Sequence, residues 1–153
     1  MLTAIVEKFN GDFSEIRQLL DIHYQELALN KDKVPLDPQW DLYENHEDSG
    51  RLVYVTLREE GELIGYVISI VAPGLHYKTC LTAHMDILFV RPDKRDIAAK
   101  GALLLVDTLE KELRRRGVQR WFMGTKLHKD IGVIFKRRNF TAVEMTYTKW
   151  LGD

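Results

Sequence analysis

With one cysteine in 153 residues, Cys80, the chain has no internal disulfide, and the thiol's place in an apolar segment fits a buried role in a reducing, cytoplasmic setting. An excess of either charge is also missing. Twenty-two basic residues face 23 acidic ones, which excludes the electrostatic footprint of a nucleic-acid or anionic-membrane binder, so neither partner is expected. No apolar run approaches the roughly 20 residues that a membrane-spanning helix needs, and no basic stretch leading into an apolar core opens the chain. A Gly-x-Gly-x-x-Gly turn after an early strand is absent, which argues against a dinucleotide-dependent oxidoreductase. His23, His46, His76, His84 and His128 show no familiar ligand spacing, so no metal is expected.

What remains is a length that fits one domain, 1–153, able to bury about two-thirds of the surface its unfolded form exposes. Residues 2–9 alternate loosely and predict an edge strand, and Asp12 with Glu15 resembles a capping box. The helix that follows buries Ile16, Leu19, Leu20, His23 and Leu27 and ends near Asn30. Residues 31–50 read as loop and short helix, rich in acidic side chains. Residues 51–58 and 63–71 predict a β-hairpin, with Gly61 available for a positive φ. In residues 80–90, Leu81, Ala83, Met85, Ile87 and Phe89 share one strand face, and Thr82, His84, Asp86, Leu88 and Val90 the other.

Residues 98–116 predict a helix with pairs Asp107–Lys111, Glu110–Arg114 and Glu112–Arg116, stopped by Gly117. A buried strand over 118–123, a short helix over 129–138 and a closing strand over 141–151 complete the order. The fold class is α/β (α+β): a mixed, mostly antiparallel sheet of about six strands flanked by about four helices. Between strand and long helix lies the turn Val90-Arg91-Pro92-Asp93-Lys94-Arg95-Asp96-Ile97-Ala98-Ala99-Lys100-Gly101. Such a turn suits an anion, because the first helical amides lack partners and the macrodipole favours negative charge there.

This order resembles the GNAT superfamily of N-acetyltransferases, in particular its compact, phage-type members. The resemblance rests on Leu63-Ile64-Gly65-Tyr66, on Val90-x-Pro92-x-x-Arg95, and on Phe135-Lys136-Arg137-Arg138-Asn139-Phe140, where the family has Tyr-x-x-x-Gly-Phe. It implies a sheet splayed at its centre around acetyl-coenzyme A, held by Leu88, Phe89, Val90, Arg95, Asp96, Ile97, Ala98, Ala99, Lys100, Gly101, Ala102, His128 and Phe135. The family's Arg/Gln-x-x-Gly-x-Gly/Ala signature is matched in part: Ala98 is small, Lys100 is not, and Gly101 follows one position late or belongs to a longer loop. Lys94, Arg95 and Lys100 offer charge-assisted contacts in compensation. Asn139 suits a left-handed helix end.

The resemblance further implies direct acetyl transfer to a primary amine, with Asp86, or else His84, as the base. A backbone N–H near Phe89 or Val90, at a strand bulge, polarises the carbonyl. Phe135 stands where relatives carry a proton-donating tyrosine, which leaves His128 or Tyr147 as the acid. The acceptor pocket falls to residues 26–48 and 144–150, with Tyr24, Trp40, Tyr43 and Glu144 against a cationic amine. Since the chain ends soon after Trp150, a second copy is an expected partner that completes the sheet. The rival expectation is a non-catalytic module of the same fold that binds coenzyme A or a protein.

Overall fold

The computed structural model describes residues 1–152, and every side chain among them except that of Arg95. Five strands form one sheet in sequence order: β1 (Leu2–Glu7), β2 (Leu52–Glu59), β3 (Glu62–Gly74), β4 (Tyr77–Val90) and β5 (Arg120–Phe122). The first four are antiparallel, and β5 runs parallel to β4. Helices α1 (Ser14–Leu27) and α2 (Trp40–Asp48) cover one face, whereas α3 (Arg95–Arg115) and α4 (Gly132–Lys136) cover the other.

Alternation along the strands builds a core on each face. Val53, Val55, Leu57 and Val67 point to α3, where Leu105, Val106, Leu109 and Leu113 meet them. Tyr54, Tyr66 and Ile68 point to α1, onto Ile16, Leu19 and Leu20. The β2–β3 hairpin closes at Glu60-Gly61, both at positive φ (48° and 88°), as a two-residue turn of the twist that hairpins favour. Gly117, at φ 82°, ends α3: its N–H donates to the Arg114 carbonyl, and that of Val118 donates to Leu113, the paired bonds of a Schellman motif.

Several expectations are corrected. Asp12 and Glu15 form no capping box: Asp12 Oδ1 accepts the Ser14 N–H (2.9 Å), and Glu15 turns to Arg58 (2.9 Å). The first helix stops at Leu27, because Ala28 is extended (ψ 143°). Asp107 pairs with Arg138 of the segment after α4 rather than with Lys111. The strand at 118–123 shrinks to three half-buried residues, and the helix at 129–138 shrinks to α4. Residues 141–152 form no strand and are exposed, and the five strands among the described residues agree with the expected count of about six. So short a β5 offers an outgoing chain few main-chain partners.

The single alternation expected along β4 also breaks. Met85 pairs with Ser69 but Ile87 pairs with Ile68, which leaves Asp86 as an extra residue, a β-bulge. Leu81, Ala83 and Met85 therefore face α3 with Leu88 and Val90, while Ile87 and Phe89 face α1. The bulge sits at Asp86, upstream of the expected Phe89 or Val90.

Candidate functional site

Strands β4 and β5 stay together only briefly. They pair at Thr82–Arg120, Ala83–Trp121 and His84–Phe122, after which β5 ends and β4 continues to Val90. From Met85 onward β4 is paired with β3 alone, which leaves a gap in strand pairing along its other edge. The Arg91 N–H donates to the Ile64 carbonyl of β3 (2.9 Å). Antiparallel alternation then turns the main-chain groups of Phe89 toward β3 as well, and those of Leu88 and Val90 into the gap. Gly65 permits this close pairing, since a Cβ there would meet the Phe89 carbonyl oxygen at 2.8 Å.

Past the end of β4, a 3-10 turn over Pro92–Lys94 leads into α3, whose start carries no side-chain cap. The Lys94 N–H donates to the Arg91 carbonyl, and the amides of Asp96 and Ile97 fall in the first turn of α3, where a helix has no carbonyl of its own four residues back. The amides of residues 98–102 lie in the helical ladder of α3, past its first four N–H groups. Gly101 has another role. A Cβ on it would lie 2.5 Å from Leu57 Cδ2, so the glycine lets α3 approach β2.

Two basic side chains of this turn, Arg91 and Lys94, are already engaged. Lys94 donates to Glu59 (2.6 Å), and Arg91 to Asp93 (2.7 Å) and to Glu62. These bonds raise the Lys94 and Arg91 pKa values and hold Asp93 low. The charge of Lys94 is thereby offset by the Glu59 carboxylate. Lys100 is exposed, and the Arg95 side chain lies outside the described residues.

On the α1–α2 face, Asp86 is exposed and accepts a hydrogen bond from the Tyr43 hydroxyl at 2.8 Å. Burial, and then the negative charge of Asp86, push the Tyr43 phenol up, so it stays a donor. His84 shares this face, since it pairs with Ile70, but makes no bond to Asp86; its ring stacks on Phe122 (4.9 Å, 4°). The bulge therefore presents a carboxylate, gripped from α2, on β4 beyond the point where β5 stops.

Behind Asp86, His23 of the buried α1 stripe meets Tyr66 of β3. His23 Nδ1 is 2.7 Å from the Tyr66 hydroxyl, and its ring stacks on Phe89 (4.4 Å, 7°). Burial, with a smaller push from Lys126, lowers the His23 pKa to about 4, and Glu26 opposes the shift. The Tyr66 phenol, raised chiefly by burial, keeps its proton and has His23 as its hydrogen-bond partner. The direction of this bond follows the imidazole tautomer: Tyr66 O–H donates to Nδ1 when the ring proton is on Nε2. The helical spacing 16, 19, 20, 23, 27 already put His23 on the buried face; only the strand register reveals its partner.

The remaining candidates are dispersed. Tyr24 holds the loop after α1, its hydroxyl 2.6 Å from the Val34 carbonyl oxygen. Trp40 stacks on Phe13 (4.8 Å, 5°) within an aromatic cluster that includes Phe9 and Tyr43. Phe135 is core, against Phe140, and Asn139 adopts φ 65° as its residue type allows. His128 lies in an exposed turn between Lys126 and Lys129, ahead of α4 rather than on it. Glu144 and Tyr147 are in the exposed 141–152 segment, neither bonded to the rest of the chain. Among the described residues no group of three His, Cys, Asp or Glu side chains could hold a metal, and no helix is long and apolar enough to cross a membrane.

No protein-family profile and no curated protein matches the sequence. Solved structures do match the fold. An aminoglycoside acetyltransferase from an uncultured soil metagenomic sample superposes with a TM-score of 0.75 at 13% identity, over 100% of this chain and 99% of that one. A ribosomal-protein-alanine N-acetyltransferase from Brucella melitensis biovar Abortus gives 0.71 at 18% identity, over 100% and 99%. A transcriptional regulator from Bacillus halodurans gives 0.77 at 13%, over 99% and 100%. The chain has the fold of the GNAT acetyltransferases, a mixed α/β domain with five strands and four helices.

Proposed function

We propose that the chain is an N-acetyltransferase that moves an acetyl group from acetyl-coenzyme A to a primary amine by direct transfer. The observation that carries this reading is the β4–β5 gap, with the main-chain groups of Leu88 and Val90 directed into it and the uncapped start of α3 at its end. An extended thioester fits the gap, and its pyrophosphate fits the Asp96 and Ile97 amides. When bound, acetyl-coenzyme A supplies an activated acyl carbon.

The Val90 N–H donates to the acyl oxygen as negative charge develops there, from a position that needs no reorganisation. Asp86 takes the proton that the substrate ammonium carries at neutral pH, directly or through one water, while Tyr43 fixes the carboxylate. The new bond joins nitrogen to the acyl carbon as the carbon–sulfur bond breaks, and the second proton the nitrogen sheds passes to the departing sulfur or to solvent. A thiol with a pKa near ~8.5 leaves as thiolate at modest cost, so the aliphatic Cβ and ring of Phe135 do not preclude turnover. His23, neutral through burial and bonded to Tyr66, orients the wall behind Asp86 rather than acting as the base.

The acceptor is an amine; the neighbours named above act on chemically different ones, and the acidic 31–50 segment favours a cationic molecule. A reducing, cytoplasmic setting belongs to the same proposal. The binding-only alternative draws on one observation: Arg91 and Lys94, beside the anion site, are already paired with carboxylates. Incubation with acetyl-coenzyme A and a panel of amines, read as free thiol, separates the two. Thiol release by an amine supports transfer; tight binding in calorimetry with no release by any amine favours the module.

A further inference from the structure

On the sheet face that carries Asp86, α1 packs chiefly on β3 and α2 on β2, which leaves the β4–β5 end of that face open. Arg120 and Phe122 share this face with Thr82 and His84, their partners in the ladder, whereas Trp121 faces α3 with Ala83. The Arg120 guanidinium lies over two rings, Tyr77 (4.8 Å) and Phe122 (5.4 Å), and Phe122 stacks in turn on the exposed His84. Arg120 is half-buried, and its Nε is buried without an acceptor. The other half-buried arginines with described side chains, Arg17, Arg58, Arg91, Arg116 and Arg138, each pair with a carboxylate. Among the described residues Arg120 has no such partner.

A guanidinium held against aromatic rings is oriented before anything binds, and its planar fork matches a carboxylate. A buried donor without an acceptor is costly, and a bound carboxylate removes that cost. Position ties this group to the Asp86 site. Thr82, the strand partner of Arg120, precedes Asp86 by four residues, a span of about 13 Å at ~3.3 Å per residue. With a hydrogen bond of about 2.8 Å at each end, a molecule that bridges Asp86 and Arg120 spaces its amine and its anion by roughly 7–10 Å. An extended di- or tripeptide with free ends has about that length. The His84–Phe122 stack lies between the two ends as an aromatic floor. Charge is graded along the same line: α2, with Asp41, Glu44, Glu47 and Asp48, meets β4 at Asp86 through Tyr43, and the unpaired arginine stands at the far end.

We propose that Arg120 selects the acceptor by a carboxylate that the molecule carries in addition to its ammonium, an inference that rests on the acetyl-transfer reading above. The peptide Ala-Gly-Ala with a free carboxyl group and its C-terminal amide share one amine and differ in the anion. With acetyl-coenzyme A, thiol release should give kcat/KM at least tenfold higher for the acid, through KM. Arg120→Gln should abolish that preference while leaving the amide unchanged, and Arg120→Lys should keep part of it. The ratio of acid to amide is taken within each variant, so a loss of stability does not mimic the effect. Ala-Gly-Asp amide carries its carboxylate on a side chain, and the better of the two acids names the source. In the isotope-labelled chain with coenzyme A, the Arg120 Nε–H resonance, identified by its absence in Arg120→Gln, should shift saturably with the acid and not with the amide. Equal use of acid and amide, a preference that survives Arg120→Gln, spermidine used better than either acid, or an Arg120 resonance that ignores the acid overturns the proposal and leaves acetyl transfer standing. No thiol release with any amine overturns the acetyl-transfer reading and this inference with it.

Discussion

The Tyr43 hydroxyl donates to Asp86 Oδ2 at 2.8 Å, and this bond joins the α2 helix to the β4 bulge at the point where the sheet opens. It converts an irregularity of strand register into a held carboxylate. Asp86→Asn keeps the shape and removes the base, so kcat should fall by ~10²-fold or more while coenzyme A affinity changes little. Tyr43→Phe should lower kcat by about tenfold and cost about 1 kcal/mol of stability for the lost hydrogen bond. Steady-state kinetics beside calorimetry checks both; equal losses of turnover and affinity would assign Asp86 a structural role.

His23 makes stability depend on pH. Unfolded, it titrates near 6.5; folded, at about 4, because burial disfavours the cation. Between these values only the unfolded chain takes up the proton. The contribution is therefore complete above pH 6.5 and is lost as pH falls toward 4, with an upper bound of about 3 kcal/mol. Urea unfolding of wild type and His23→Gln across this window should show a shallower fall for the variant. Parallel curves would contradict a buried neutral imidazole.

Gly65 and Gly101 are both close-approach glycines, but they meet different atoms. A Cβ at Gly65 would strike the Phe89 carbonyl oxygen at 2.8 Å, which is backbone, whereas one at Gly101 would strike the Leu57 side chain at 2.5 Å. Gly65→Ala should cost more, ~2 kcal/mol or above, with cofactor affinity lost as β4 shifts. Gly101→Ala gains ~1 kcal/mol of helix propensity against its clash, and Leu57→Val should recover part of the balance. Thermal unfolding of the four variants tests the ranking.

The Glu59–Lys94 pair holds a cation back from the anion site. Glu59→Gln should tighten coenzyme A binding a few-fold at low salt, by roughly the ~0–1 kcal/mol that an accessible ion pair supplies, and the gain should shrink as salt rises. Titration calorimetry at two ionic strengths reads it.

Local patterns were legible where one neighbour decides the outcome. The hairpin at Gly61, the stop at Gly117, the apolar face of α3 and the left-handed Asn139 follow from backbone preference and helical period. Asp86 was visible as a candidate, but its bulge was not, because an extra residue in β4 is defined only against the register of β3. The same holds for His23, whose spacing shows burial and not the Tyr66 hydroxyl that orients it. Gly101 was legible as a phosphate-loop candidate but not as a packing glycine, since nothing local shows that Leu57 lies across from it. The closing strand failed for a different reason: 141–151 has strand propensity, and propensity does not supply an edge.

The central claim is that the β4–β5 gap receives acetyl-coenzyme A along β4 and at the start of α3. Titration of the isotope-labelled chain, followed by backbone amide resonances, tests this most directly. The account predicts saturable shifts at Leu88, Val90, Asp96 and Ile97, with those of the β1–β2 edge unmoved. Saturable binding that leaves these four amides unshifted, or no binding at all, would contradict it.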